Sequence, residues 1–320
     1  MNILMIGQND PAGMMIAFAN ALNRYTEHTA RVISFRSLYA MDYEFDIELP
    51  RINEDFSEIE HLLKSSDVFH FHMLMDENYQ IGPLQIKDYL KGKALLHHHH
   101  GTYDHQTFLA LASDYNEKYK KLKRRAIVST PDLLKLLPVA TWQPNLVPLD
   151  DTDLQPRFDH QVAPKKLNIV QAPTRKWHKQ TAEFLRACER LKFKYPQIDC
   201  KLLENMTYRQ CLKAKRNSHI CFDHMNGWFG ISSLESLAQG VPVIAGLDDW
   251  NIQAIQEFTG VADIPWVVAR NESELEVELE KLIKDDELRV SIGVRSRNYL
   301  ESYWTEHHAL SVLQKTYQEL

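Results

Sequence analysis

The sequence predicts an α/β protein of two domains, each built on an open and mainly parallel sheet. Three observations predict it. Short apolar runs alternate with amphipathic stretches along the whole chain, the pattern of βα units feeding a parallel sheet. The 320 residues, 44% of them hydrophobic and 25% charged, suffice for two domains of roughly 150 residues each. The alternation breaks at Asp150–Lys166, a polar stretch (DDTDLQPRFDHQVAPKK) with two prolines and no apolar period. An N-terminal domain over 1–155 and a C-terminal domain over 166–320 are therefore expected.

In the first half, strands are expected at Asn2–Ile6, Ala30–Phe35, Val68–His72, Ala94–His98 and Ala126–Ser129. Helical periodicity lies between them at Met14–Leu22, Ile59–Leu63 and His105–Ala112. Ser129-Thr130-Pro131 suits the start of a short helix, with proline in its first turn. In the second half, Asn168–Gln171, Cys200–Leu203, His219–Phe222, Pro242–Ala245 and Trp266–Val268 read as strands. Two such sheets place ligands outside the carboxyl ends of their strands.

The composition excludes several classes. No uninterrupted apolar run approaches the ~20 residues of a membrane-spanning helix. The N-terminus MNILMIGQNDPAG lacks the basic lead and apolar length of a secretory signal. Cys188, Cys200, Cys211 and Cys221 form no CxxC pair and read as reduced, structural thiols of a cytoplasmic protein. A net charge of −6 gives no global attraction to nucleic acid or acidic lipid. The basic run Lys118–Arg125 (KYKKLKRR) is read by default as a solvated helix face. An anionic membrane surface or a nucleic-acid backbone is the alternative.

Gly227–Gly246 (GWFGISSLESLAQGVPVIAG) carries the most chemistry. It reads as a glycine turn, a helix opening on two serines, and an apolar strand. Gly227 and Gly230 let backbone approach a ligand closely, and free amides at the helix start favour a phosphate. Glu235, one turn in, can accept hydrogen bonds from a ribose diol. On its own the stretch also fits an ordinary αβ unit whose glycines only shape turns.

This segment resembles the donor-nucleotide segment of GT-B glycosyltransferases, particularly the large retaining family called group 1 or family 4. Members read (E)GFG-x-x-x-LEAMA-x-G-x-PV(V/I)A, against WFGISSLESLAQGVPVIA here. The resemblance implies two Rossmann-like domains facing across a cleft, with the last helix, around Ala309–Leu320, crossing back to the first domain. It implies that Glu235 holds the ribose and that Gly230, Ile231 and Ser232 face the diphosphate. Many members carry a second glutamate where this chain has Gly227, at a position that often contacts the donor sugar. A second match is Asn168–Thr181 (NIVQAPTRKWHKQT), similar to the HAPTxRxxKGT segment of these enzymes. By position Arg175 and Lys179 then grip the diphosphate and stabilise its growing charge. Gln180 replaces the usual glycine. STPDLL…W-x-PN, within Val128–Asn145, also resembles these transferases, in an architectural role.

The segment Ala94–Tyr103 (ALLHHHHGTY) places His97 and His99 on one face of a strand and His98 and His100 on the other. His70 and His72 share one face of the strand expected beside it. Neither segment supplies HExxH, HxH…D or cysteine spacing, so no metal site is expected. The resemblance, to an HHG(S/T) strand end, assigns His100 and Gly101 to the reacting sugar or acceptor; the other histidines are expected to pack and hydrogen-bond in a polar cleft. Gly7–Asn20 lacks GxGxxG, and Asn9 through Gly13 fit the acceptor-lining loop of relatives.

The expected activity is transfer of a sugar from a nucleotide-diphosphate sugar to an acceptor hydroxyl, with retention of configuration and without metal or cofactor. The expected partners are a nucleotide sugar and a glycan or lipid-linked acceptor; a nucleic-acid acceptor is less favoured. The alternatives are a sugar-nucleotide epimerase of the same fold, or a catalytically silent binding partner.

Overall fold

The computed structural model describes residues 1–36, 46–101, 114–159, 161–162 and 164–320. It divides into two compact units, Met1–Leu146 with Glu306–Leu320, and Val147–Thr305. The helix expected at His105–Ala112 lies outside the described residues.

In unit 1 the strands are β1 (Asn2–Gly7), β2 (Thr29–Ser34), β3 (Ile47–Glu48), β4 (Val68–His72), a small hairpin of β5 (Gln80–Ile81) and β6 (Leu84–Gln85), β7 (Ala94–His99), β8 (Arg125–Val128) and β9 (Thr141–Trp142). All but the hairpin form a parallel sheet in the order β3-β2-β1-β4-β7-β8-β9. One face packs through Leu4, Ile6, Ile33, Phe69 and Phe71 against α2 (Ser57–Ser65), which buries Ile59, Leu62 and Leu63. That three-residue set sits at helical spacing, which is why the polar remainder of α2 can face water. The other face carries α1 (Met14–Tyr25). The C-terminal helix belongs to this unit, where Tyr317 bonds His70 at 2.7 Å and the Ala309 carbonyl accepts from Gln143 at 2.9 Å. The short helix after Thr130 forms as Pro131–Lys135, without a side-chain cap.

Unit 2 repeats the principle with β10 (Leu167–Gln171), β11 (Ile198–Leu202), β12 (Ile220–Phe222), β13 (Val243–Ala245) and β14 (Val267–Val268), parallel in the order β11-β10-β12-β13-β14. Its helices are α3 (Thr181–Lys194), α4 (Tyr208–Arg216), α5 (Ile231–Ala238), α6 (Asp249–Thr259), α7 (Glu272–Lys284) and α8 (Asp286–Tyr303); the C-terminal helix of unit 1 is α9 (Glu306–Gln318). Both sheets reverse strand order once, between β1 and β4 and between β10 and β12. Crevices for ligands open at such reversals.

The polar stretch after Asp150 packs onto unit 2. Arg297, 8% exposed, donates to the carbonyls of Leu154, Ala238 and Leu149, each at 3.0 Å. A buried guanidinium needs such acceptors to offset its desolvation. The cysteines differ from expectation: Cys188 on α3 and Cys200 on β11 are joined as a disulfide, Cα atoms 6.3 Å apart. The helix lies directly on its following strand, so a separation of 12 residues closes in space. Among the described residues no helix is long and apolar enough to cross a membrane.

Two predictions follow from this packing. A Cβ on Gly293 of α8 would stand 2.2 Å from the Gly240 carbonyl oxygen, which is backbone and cannot swing away. Gly293→Ala should therefore destabilise unit 2 by about 1–3 kcal/mol in urea unfolding. At the start of α1, buried Asp10 accepts from the amides of Met15 (2.8 Å) and Ile16 (3.1 Å). Burial pushes its carboxyl up from 3.8 to about 6, against the pull of those amides. The native state then binds this proton more tightly, so the group costs stability above pH 6 and gives it back as pH falls toward 4. Relative to Asp10→Asn, the wild-type chain should gain about 2–3 kcal/mol between pH 7 and pH 4, measured by paired urea titrations.

Candidate functional site

The loops following β10 and β12 leave the sheet on either side of its order reversal, and a single side chain fastens them. Gln171, the last residue of β10, donates through Nε2 to the carbonyls of Lys179 (2.6 Å) and Asp223 (3.1 Å) and accepts from the Thr181 hydroxyl at 2.8 Å. The β10 loop ends in a turn at Gln180, with φ 45 and ψ 41. That is the left-handed region, where glycine is cheapest. The departure from the glycine of the resembling enzymes thus costs strain, not shape. Gln180 is held there by its side chain, which bonds Asn226 and accepts from the Met225 amide at 2.8 Å.

Asp223 is the centre of the second loop, and sequence reasoning missed it. Its Oδ2 accepts from the Gly230 amide (2.6 Å) and the Ser233 hydroxyl (2.7 Å), while Oδ1 pairs with Lys179 Nζ at 2.7 Å. Burial alone would raise this carboxyl; the nearby His224 ring, the Lys179 ammonium and the Gly230 amide outweigh it and hold the group well below the usual carboxylate range. The Asp223 carboxylate thus takes up the Gly230 amide just before α5 through one oxygen and the Lys179 ammonium through the other. The signal available was its position, a carboxylate one residue beyond a buried parallel strand.

Of the expected donor residues, Lys179 and Gly230 come together around Asp223: a Cβ on Gly230 would lie 3.1 Å from Lys179 Nζ. Ile231 and Ser232 open α5, both partly exposed. The loop's height is set by Phe229, 1% exposed and wedged against Trp266 and Trp304 with ring centroids 5.1 and 5.9 Å away. Glu235 is 6% exposed and ion-pairs through Oε2 with Lys215 of α4, a residue the sequence reading passed over. Burial drives the Lys215 ammonium down, but the Glu235 carboxylate overcomes this and leaves it raised. Lys215 Nζ also lies 3.3 Å from the Ser232 hydroxyl. Glu235 Oε1 makes no hydrogen bond among the described residues. Arg175 is half-buried, four residues before Lys179, and its guanidinium likewise has no partner among the described residues.

Gly227 has φ 97, which side chains rarely adopt, and a Cβ there would meet Asp248 Oδ2 at 3.4 Å. Asp248 caps α6 through the Asn251 amide at 2.8 Å. The missing glutamate is thus not restored by a simple exchange. Gly227→Glu should lower stability by about 1–2 kcal/mol in chemical denaturation, rather than create a sugar contact.

In unit 1, Asn9 and Gly13 belong to the loop after β1, and His100 and Gly101 to the loop after β7, both at the carboxyl edge of the sheet. Asn9 is buried at 7% exposure, and Gly13 begins α1 with φ 72. The histidines alternate as expected, but they lie in the core rather than in a polar cleft. His97 stacks on His99 (4.5 Å) beside Tyr115 and Tyr119. On the opposite face His98 stacks on His100 (4.0 Å), with His70 and His72 alongside. His100 meets His72 Nδ1 through its Nε2 at 2.8 Å. Burial pulls the His100 imidazole down to about 3, with His99 and His97 adding to it. A neutral ring of this kind orients a hydroxyl better than it carries a proton. In the basic run, Lys118 pairs with Asp76 (3.1 Å), Arg124 with Glu77 (2.8 Å) and Arg125 with Glu319 (3.2 Å), leaving Lys120, Lys121 and Lys123 as the exposed remainder.

No protein-family model and no curated protein matches the chain. Solved structures do match. Anabaena HepE in complex with UDP and glucose is similar with a TM-score of 0.68 at 12% identity, over 100% of both chains. The sucrose-phosphate synthase of Thermosynechococcus elongatus gives 0.64 at 12% identity, over 100% of this chain and 98% of that one. A putative UDP-N-acetylglucosamine 2-epimerase from Listeria monocytogenes gives 0.56 at 13% identity, over 100% of this chain and 97% of that one. At such identities the likeness is one of fold: the chain has the GT-B fold, an α/β architecture of two Rossmann-like domains.

Proposed function

We propose that the chain is a glycosyltransferase that moves a sugar from a nucleotide-diphosphate sugar to an acceptor hydroxyl. The observation that carries this reading is the meeting of the Gly230 amide, the Ser233 hydroxyl and Lys179 Nζ at the Asp223 carboxylate beside the start of α5, the first two on Oδ2 and the lysine on Oδ1. Helix starts bind phosphate through their free backbone amides, and this arrangement holds the start of α5 beside the Lys179 ammonium. The resemblance of the two donor segments and the UDP and UDP-glucose bound to HepE support it. In this reading Glu235 Oε1 receives the ribose diol, while Lys215 fixes its other oxygen. The Gly230–Ser232 backbone and Arg175 face the diphosphate. Asp223 positions Lys179, whose ammonium retains further N–H donors for the phosphate.

The bond from the anomeric carbon to the phosphate oxygen breaks, and one to the acceptor oxygen forms on the same face. The departing diphosphate oxygen takes the acceptor proton, so configuration is retained. Arg175 and Lys179 stabilise the charge that grows on the leaving group, so this step needs no divalent metal. His100, Gly101, Asn9 and Gly13 of unit 1 serve the acceptor, which is a glycan or a lipid-linked glycan. The epimerase reading rests on the epimerases that share the fold.

The test is thermal stabilisation by UDP, GDP, ADP and their sugars. A ligand at a hundredfold excess over its dissociation constant should stabilise the fold by about 2.7 kcal/mol. Arg175→Ala and Glu235→Ala should each weaken the best ligand about 10- to 100-fold, the worth of a charge-assisted hydrogen bond. No stabilisation by any nucleotide would overturn the donor site. Conversion of free sugar nucleotide without an acceptor would select the epimerase instead.

A further inference from the structure

Unit 1 buries a group of imidazoles that the transfer chemistry does not use. His70 and His72 alternate on β4, and His98 sits beside His72 in the parallel register of β4 and β7, so all three project from one face. Each is fully buried, at 0% exposure. One ring nitrogen from each lies within 4.8 Å of the others. His70 Nε2, His72 Nε2 and both nitrogens of His98 have no hydrogen-bond partner among the described residues. Buried polar atoms are seldom left so, and three together on one face share one deficit.

The partners of the remaining nitrogens fit a common purpose. His70 Nδ1 bonds the Tyr317 hydroxyl at 2.7 Å, and His72 Nδ1 bonds His100 Nε2 at 2.8 Å. When Nδ1 donates, each Nε2 keeps its lone pair, and both rings are fixed in orientation. Metal-binding histidines are held in this way by an outer hydrogen bond. Phe18 of α1 packs over His98, ring centroids 5.7 Å apart, and shields the group from water.

We propose that His70, His72 and His98 form a three-histidine site for a divalent transition metal ion, zinc above all, placed in the core of unit 1. Imidazole suits zinc and its neighbours better than magnesium or calcium, which prefer oxygen. Bonds of about 2.0–2.1 Å place tetrahedral donors about 3.3 Å apart, inside the 4.8 Å within which one ring nitrogen from each histidine already lies. The fourth position remains for water. The ion would tie β4, β7 and, through Tyr317, helix α9 together.

The experiment uses the full chain without a histidine tag. Chelator-treated protein is loaded with Zn2+ or Co2+, passed through gel filtration, and assayed by elemental analysis and visible absorption. The proposal expects about one ion per chain, a Co2+ spectrum of low-symmetry nitrogen ligation, and a melting temperature raised by Zn2+. His98→Gln should lose all three, while His99→Phe, on the opposite face, keeps them. Absence of retained metal and of a Co2+ spectrum in the wild-type chain would overturn it. So would retention undiminished in a folded His98→Gln, which would mean surface histidines only. If His98→Gln does not fold, the wild-type Co2+ spectrum decides alone. None of these readouts depends on nucleotide binding.

Discussion

Asp223 stands at the end of a buried strand, and a carboxylate in such a place persists only where donors converge on it. The donors here are the Lys179 ammonium, the Gly230 amide and the Ser233 hydroxyl. They come from two loops and the first turn of α5, so one side chain fixes the relative placement of three segments. Gln171 repeats the connection from the other strand. The order reversal of the sheet supplies the gap; these two residues decide what lines it.

The same unit shows how charge is distributed around these loops. Lys179 and Lys215 are each matched by a buried carboxylate, Asp223 and Glu235. Arg175 is not matched among the described residues. Pairing lets the two lysines exist in a desolvated place, while the unpaired guanidinium is where net positive charge remains. Unit 1 solves a different problem. Its central strands carry imidazoles where valine or isoleucine would be usual, and these stack on one another and on tyrosines instead of meeting water.

The strands and helices were legible because their signal is local. Periods of two and three to four residues are written in the order of side chains, and β1, β4, β10 and β13 fall where the apolar runs are. The proximity of Lys179 to Gly230 was foreshadowed by a motif that keeps glycine, basic and acidic types at fixed spacing. Asp223 and Lys215 were not, since neither breaks the pattern around it. The disulfide escaped for the same reason: Cys188 and Cys200 meet because a helix lies on its neighbouring strand.

By itself, then, the sequence determined the fold class, the boundaries of the expected elements within a few residues, and the alternation of the histidines. Only the tertiary structure decided partners: which carboxylate meets Lys179, which lysine meets Glu235, and that His70, His72 and His98 share a face. The physical reason is register. Side-chain direction follows from adjacent residues, but contact across β4 and β7 or β10 and β12 depends on how strands distant in sequence align, and no local pattern encodes that alignment.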